Sequence, residues 1–207
     1  MDPPHTKPAP HRTGQRREIV TTTTLSAATL DDLLKVEGKA ELIAGRIVTL
    51  MPTGRLPNLV AKRILRAMDD FVVSLGVGEV YTDNMGYAIR PPMENGRESF
   101  SPDVSYYHGP LPADEMEFIS GPPNFAVEVR SESNYGPAAE LEMAEKRDDY
   151  FTAGTLVVWD VDVRSQTITR YQSSNPTVGT IYRRGDVADA EPALPGWRLS
   201  VDGIFPA

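Results

Sequence analysis

The chain has 207 residues, 40% hydrophobic and 24% charged, enough for one well-cored domain and incompatible with wholesale disorder. It has no cysteine and only three histidines, His5, His11 and His108, which excludes a disulfide scaffold, a thiolate zinc site, a thiol nucleophile and a histidine-rich metal centre. Net charge is −8, from 21 basic and 29 acidic residues, a poor match to a polyphosphate partner without a local basic patch or bound cations.

The absence of cysteine fits a reducing cytoplasm, and no apolar run approaches the roughly 18 residues that a membrane-spanning helix needs. Residues 1–23 are rich in proline, basic and polar side chains and have no apolar periodicity. They read as a disordered tail, either passive or a basic arm for nucleic acid. Residues 24–207 read as a single domain. Ser26 is placed to cap a short helix carrying Leu30, Leu33 and Leu34. Two short strands follow around Ala44-Gly45. The clearest helix runs from about Asn58 to Leu75, with Val60, Ile64, Met68 and Phe71 at helical spacing and Lys62, Arg63 and Arg66 elsewhere on its surface. Gly76 and Gly78 end it.

The pattern then changes to strands. Glu79–Thr82 and Tyr87–Arg90 flank a hairpin-like connection. Pro91–Ser101 reads as a loop, Asp103–Tyr107 as a short strand, and the segment to Pro123 as a second loop. Phe125–Arg130 is a strand, about Ala138–Ala153 a helix, and Leu156–Val161 an apolar strand covered on both faces. This order is a βαβ-like unit. Strands at Thr167–Tyr171, Thr180–Arg183 and Gly196–Val201 follow. The fold class is α/β, with a mixed central sheet flanked by helices.

Three residues break local rules together. Glu128 lies within an apolar strand, sharing a face with Ala126 and Arg130. It is a strand-end acid at the water boundary, an acid paired with Arg130, or a desolvated functional carboxylate. Lys146 falls on the same helix face as Met143, Tyr150 and Ala153, while Glu140, Glu145, Arg147 and Asp148 serve the solvent side. Its stem either snorkels or carries the ammonium inward to Glu128. Asp103 follows a proline, as a turn residue or as a second acid converging on Glu128. Two such acids make a hard oxygen site suited to magnesium, and a nearby lysine stabilises charge on phosphorus. A serine hydrolase using Ser131 or Ser133 would have only His108 as base and lacks the nucleophile-elbow motif.

These residues resemble the PD-(D/E)xK nuclease superfamily and, more narrowly, the Uma-type family of restriction-endonuclease-like bacterial proteins. The matching stretches are Glu41-Leu-Ile-Ala-Gly-Arg-Ile-Val, Ser101-Pro-Asp-Val, Pro123-Asn-Phe-Ala-Val-Glu-Val-Arg-Ser, Glu145-Lys-Arg-Asp-Asp-Tyr with Gly154, Val157-Val-Trp-Asp-Val, and Pro195-Gly-Trp with Ile204-Phe205. The resemblance implies a restriction-endonuclease-like core and a magnesium-dependent endonuclease acting on DNA, with manganese as the alternative ion. It implies Asp103, Glu128 and the Val129 carbonyl as metal ligands. Lys146 takes over for the lysine that the superfamily often has at position 130, and Glu41 completes the metal shell through water. A homodimer is expected by analogy with nucleases that cut both strands. The family's histidine at the start of the long helix is missing from Gly54–Asn58, and Ser131-Glu-Ser133 departs from the usual Ser-Pro-Ser. The alternative is therefore a catalytically weak or inactive interaction module whose Glu128–Lys146 pair is structural.

Overall fold

A computed structural model describes residues 27–206. The expected tail at 1–23 and the Ser26 cap lie outside the described residues. The chain opens with α1 (Leu30–Leu33), capped by Thr29, whose side chain and backbone both engage Asp32. The ribbon β1 (Ala40–Ile43) and β2 (Arg46–Thr49) turns at Ala44 and Gly45, both at positive φ. The long helix α2 spans Arg55–Leu75. It starts before the expected Asn58 because Pro57 falls in the first turn, where a missing N–H costs nothing. Gly76, left-handed at φ 69°, ends it.

The centre is a six-stranded sheet. Its strands are β3 (Glu79–Thr82), β6 (Val104–Tyr107), β8 (Phe125–Val129), β9 (Val157–Asp162), β10 (Thr167–Gln172) and β11 (Asn175–Tyr182). Their spatial order is β11-β10-β9-β8-β6-β3. Only β8 and β9 run parallel, joined by α3 (Pro137–Ala153), as the βαβ pattern predicts. The sheet is mixed, and the helices cover both faces.

Alternation along β8 decides which face receives which chemistry. Phe125, Val127 and Val129 join Val60, Ile64, Met68 and Val72 of α2 in the larger core. Trp159 and Trp197 stack there at 5.2 Å, with Phe125 edge-on to Trp159. A second ribbon, β12 (Val187–Ala190) with β13 (Leu194–Ser200), and the short α4 (Val201–Ile204) close this side. Ala126 and Glu128 point to the opposite face, toward α3. There Tyr150 stacks on Phe100 at 4.2 Å within a smaller core.

The hairpin expected between residues 79–82 and 87–90 does not form. β3 pairs with β6, whereas β4 (Tyr87–Ala88) pairs with β5 (Ser99–Phe100) and β7 (Ile119–Ser120) in a separate three-stranded sheet. Tyr87, Ala88 and Ile89 are all buried. Such a segment needs cover on both faces, which a two-stranded ribbon does not give. The two expected loops therefore contain β5 and β7.

Candidate active site

Asp103 stands immediately before β6, and its backbone N–H donates to the Val127 carbonyl of β8. Its Oδ2 accepts from the Val129 N–H at 2.8 Å. The peptide frame thus fixes this carboxylate against β8, where Glu128 projects from the same short stretch. Glu128 Oε1 lies 3.0 Å from Lys146 Nζ and accepts from the Tyr150 hydroxyl at 2.7 Å. Lys146 and Tyr150 stand one turn apart on the inner face of α3, the face predicted from their spacing. Among the described residues, Glu128 Oε2 has no hydrogen-bond donor, and the side chain keeps 20% of its surface exposed.

Glu41 reaches the centre from β1. Its Oε1 lies 3.0 Å from Lys146 Nζ and accepts from the Ser101 N–H at 3.1 Å. Its Oε2 accepts from Arg97 at 2.6 Å. Arg97 donates through Nε to Asp149 at 2.7 Å. Glu41 is thus held behind Lys146 with both oxygens engaged. Lys39, two residues before Glu41, places its ammonium 2.6 Å from Asp103 Oδ1 and 2.6 Å from Asp83.

The electrostatics follow from burial and charge. Burial pushes the Glu128 carboxyl up; Lys146 opposes this and Asp103 adds to it. Burial raises Glu41 as well, but the Lys146 and Arg97 charges outweigh it, so Glu41 falls below its ordinary value. Burial disfavours the Lys146 ammonium, yet Glu128 and Glu41 more than compensate, and Lys146 holds its proton above the ordinary lysine range. Burial, reinforced by Glu128 and Glu41, keeps the Tyr150 phenol protonated.

The structure therefore joins Glu128, Lys146 and Glu41 directly and sets Asp103 beside Glu128 through the Val129 N–H, with its other oxygen on Lys39. It does not pair Arg130 with Glu128. The Arg130 guanidinium makes two 2.7 Å bonds to Asp160 and also binds Glu140. Arg147 is not on the solvent side as expected; it stacks over Tyr171 at 3.8 Å. Ser131 Oγ bonds Asn134 at 2.7 Å, and His108 is an exposed residue after β6 whose N–H meets Asn124. Among the described residues no three His, Cys, Asp or Glu side chains gather as a metal-holding cluster. Sequence patterning missed Lys39, Arg97, Asp149 and the Tyr150–Glu128 bond. The only sequence signal for the last was that Tyr150 shares a helix face with Lys146.

The sheet order, the parallel β8–α3–β9 crossover and the flanking helices define a restriction-endonuclease-like α/β protein. The chain belongs to the Uma2 family, described as "Putative restriction endonuclease", whose model matches residues 28–202. Among solved structures it is similar to a protein from Anabaena variabilis ATCC 29413 described as a "putative nuclease belonging to DUF820". That similarity has a TM-score of 0.66 at 18% identity and covers 86% of this chain and 97% of the other. At that identity the likeness shows the fold. No curated protein matches the chain.

Proposed function

We propose that this protein is a divalent-cation-dependent endonuclease that hydrolyses DNA phosphodiester bonds, with magnesium as the physiological ion. The observation that supports this reading is that Asp103 is fixed on the Val129 N–H next to Glu128, which is itself paired with Lys146, and that all three side chains keep 20 to 25% of their surface exposed. The donors fit a hard cation: two carboxylates and the Val129 carbonyl, with remaining positions for water and phosphate. Burial pushes the Glu128 carboxyl up and the neighbouring Asp103 adds to this, so a bound cation would favour its ionised form. When bound, such a cation neutralises charge on the phosphate and makes water a better nucleophile.

The side chains divide the remaining work. The Val129 N–H fixes Asp103, so that carboxylate needs no reorganisation on binding. Tyr150 keeps its proton on its hydroxyl and holds Glu128 Oε1, which leaves Oε2 without a donor among the described residues. Lys146 also keeps its proton at Nζ, so it acts as a fixed positive charge that orients water or phosphate rather than as a base. Glu41, itself fixed by Arg97 and Ser101, sets where that ammonium sits.

The test is nicking of supercoiled plasmid with Mg2+ or Mn2+ added to purified protein. Wild type is expected to nick only with the cation, and Asp103→Ala to lose about 100-fold or more, the scale of removing one preorganised transition-state contact. A non-catalytic module is favoured by one observation: the Glu41–Arg97–Asp149 and Lys146–Glu128 contacts form a connected network that is sufficient as structure. Absence of nicking, together with Lys146→Met at unchanged or raised melting temperature, would select that reading.

A further inference from the structure

Lys39 is not among the residues expected at the nuclease-like centre, yet it pairs with Asp103, the most exposed of the acids Asp103, Glu128 and Glu41. Its side chain is 14% exposed, and its ammonium sits midway in a set of acids. It is 2.6 Å from Asp103 Oδ1 and 2.6 Å from Asp83 Oδ1. Glu128 also acts on its charge. Asp103 Oδ2 is already spent on the Val129 N–H. Lys39 therefore covers the one oxygen of Asp103 that a cation shared with Glu128 would use. One ammonium and one divalent ion cannot both sit there, because like charges at contact distance repel by several kcal/mol even at a moderate effective dielectric of about 20.

The surroundings provide a second place for the amine. Asp83 follows β3, and its side chain is 51% exposed, so it can keep the ammonium after Asp103 is given up. Beside Lys39 lies a cavity of about 170 Å3 whose lining includes Ser99, Ser101 and Asn84. Ser101 Oγ is buried and has no hydrogen-bond partner among the described residues. Asp83, the cavity and the unpartnered hydroxyl together form a polar berth within reach of a flexible four-carbon stem.

We propose that Lys39 is a displaceable counter-ion, which holds the Asp103–Glu128 pair in the cation-free protein and withdraws toward Asp83 and Ser101 when a divalent cation loads. This rests on the cation-dependent reading above. Lys39 is then a positioning residue: it keeps two crowded acids in place without metal and sets the cation concentration at which the site fills.

The test measures Mn2+ binding to the full chain by calorimetry and by electron paramagnetic resonance, with no DNA present. Lys39→Met is expected to bind Mn2+ about tenfold tighter or more than wild type, because a charge in contact with the ligand set is removed. Lys39→Arg keeps the charge and is expected to stay near wild type. Lys35→Met removes an equal charge from the exposed surface near α1 and is expected to change affinity less than about twofold, since solvent screens it. Lys39→Met should melt lower than wild type without cation and gain more from added Mn2+, which excludes a merely structural role. If Mn2+ binding is lost in Asp103→Asn but is no tighter in Lys39→Met, or is equally tighter in Lys35→Met, the counter-ion role is overturned and the nuclease reading stands. If neither wild type nor Lys39→Met shows Mn2+ binding that depends on Asp103, both fall.

Discussion

Arg97 carries two acids that would otherwise be buried charges. Its side chain is 8% exposed, Glu41 is 4% and Asp149 is 14%. Its guanidinium also lies over Phe100, 5.0 Å from the ring centre. Removing it takes the partner from Glu41 Oε2, leaves Asp149 with only the Asn95 amide, and loosens the acid that positions Lys146. Arg97→Met is expected to cost about 3 to 5 kcal/mol, the range for breaking a buried pair from one side. Urea unfolding measures this, and a loss below about 1 kcal/mol, the scale of a surface pair, would show that the network is solvated. At this scale the sequence was informative only where a residue violated its surroundings. Glu128 stood out within an apolar strand and Lys146 on an inward helix face. Arg97, in a loop of charged and polar residues, and Asp149, in a run of charges, look like ordinary surface residues. Lys39 looks like any solubilising lysine before a strand. Their burial comes from contacts with residues 52 to 64 positions away, which no local pattern encodes.

Among the elements, periodicity revealed α2, α3 and the β8–α3–β9 crossover, because each has a face long enough to show its period. It failed for β4, β5 and β7, which have two residues each and take their register from partners in other loops. The outer ribbon shows how such elements are joined. Asp189 of β12 accepts from Tyr182 of β11 at 2.9 Å and binds Arg170 of β10. Its backbone carbonyl takes the indole N–H of Trp159. Burial raises the Asp189 carboxyl, but the Glu191 N–H, Tyr182 and Arg170 outweigh it and the net shift is downward. Burial and the bond to Asp189 push the Tyr182 phenol up to about 12. The two shifts give limbs of opposite sign. Asp189 contributes stability that is present above its ordinary value of 3.8 and lost as pH falls through its lowered folded value. Tyr182 contributes stability that is present below 10.0 and lost as pH rises from there to about 12, where the unfolded phenol ionises and the folded one does not. Melting temperature against pH should therefore fall less steeply for Asp189→Asn on the acid side and for Tyr182→Phe on the alkaline side. Variant limbs parallel to wild type would mean that these bonds do not tie the ribbon to the sheet.

For the whole molecule, the proposed nuclease function poses the problem of how a chain of net charge −8 would approach a polyanion. The balance is less favourable over residues 21–207, since residues 1–20 hold four basic and two acidic side chains, leaving 17 against 27. The exposed cations of α2 do not solve it. That helix covers the Val127 face of the sheet, opposite Glu128, and Arg63 is committed to the Ile204 carbonyl at 3.1 Å. Around the centre itself, Lys146, Arg97 and Arg130 are each paired with two acids. Affinity for phosphate scales with the number of unspent cations that displace counterions. Few are available here without an added one. Binding of a labelled duplex in EDTA is therefore expected to be weak, with a logarithmic salt slope corresponding to fewer than about four phosphate contacts. Calcium, which fills hard oxygen sites but supports phosphoryl chemistry poorly, should tighten binding about tenfold or more in wild type and leave Asp103→Asn unchanged. A steep salt slope in EDTA would place the DNA on a basic surface independent of the acidic centre. Tightening that survives in Asp103→Asn would place the cation elsewhere on the molecule, and in either case Asp103 and Glu128 would not account for DNA binding as the proposed function requires.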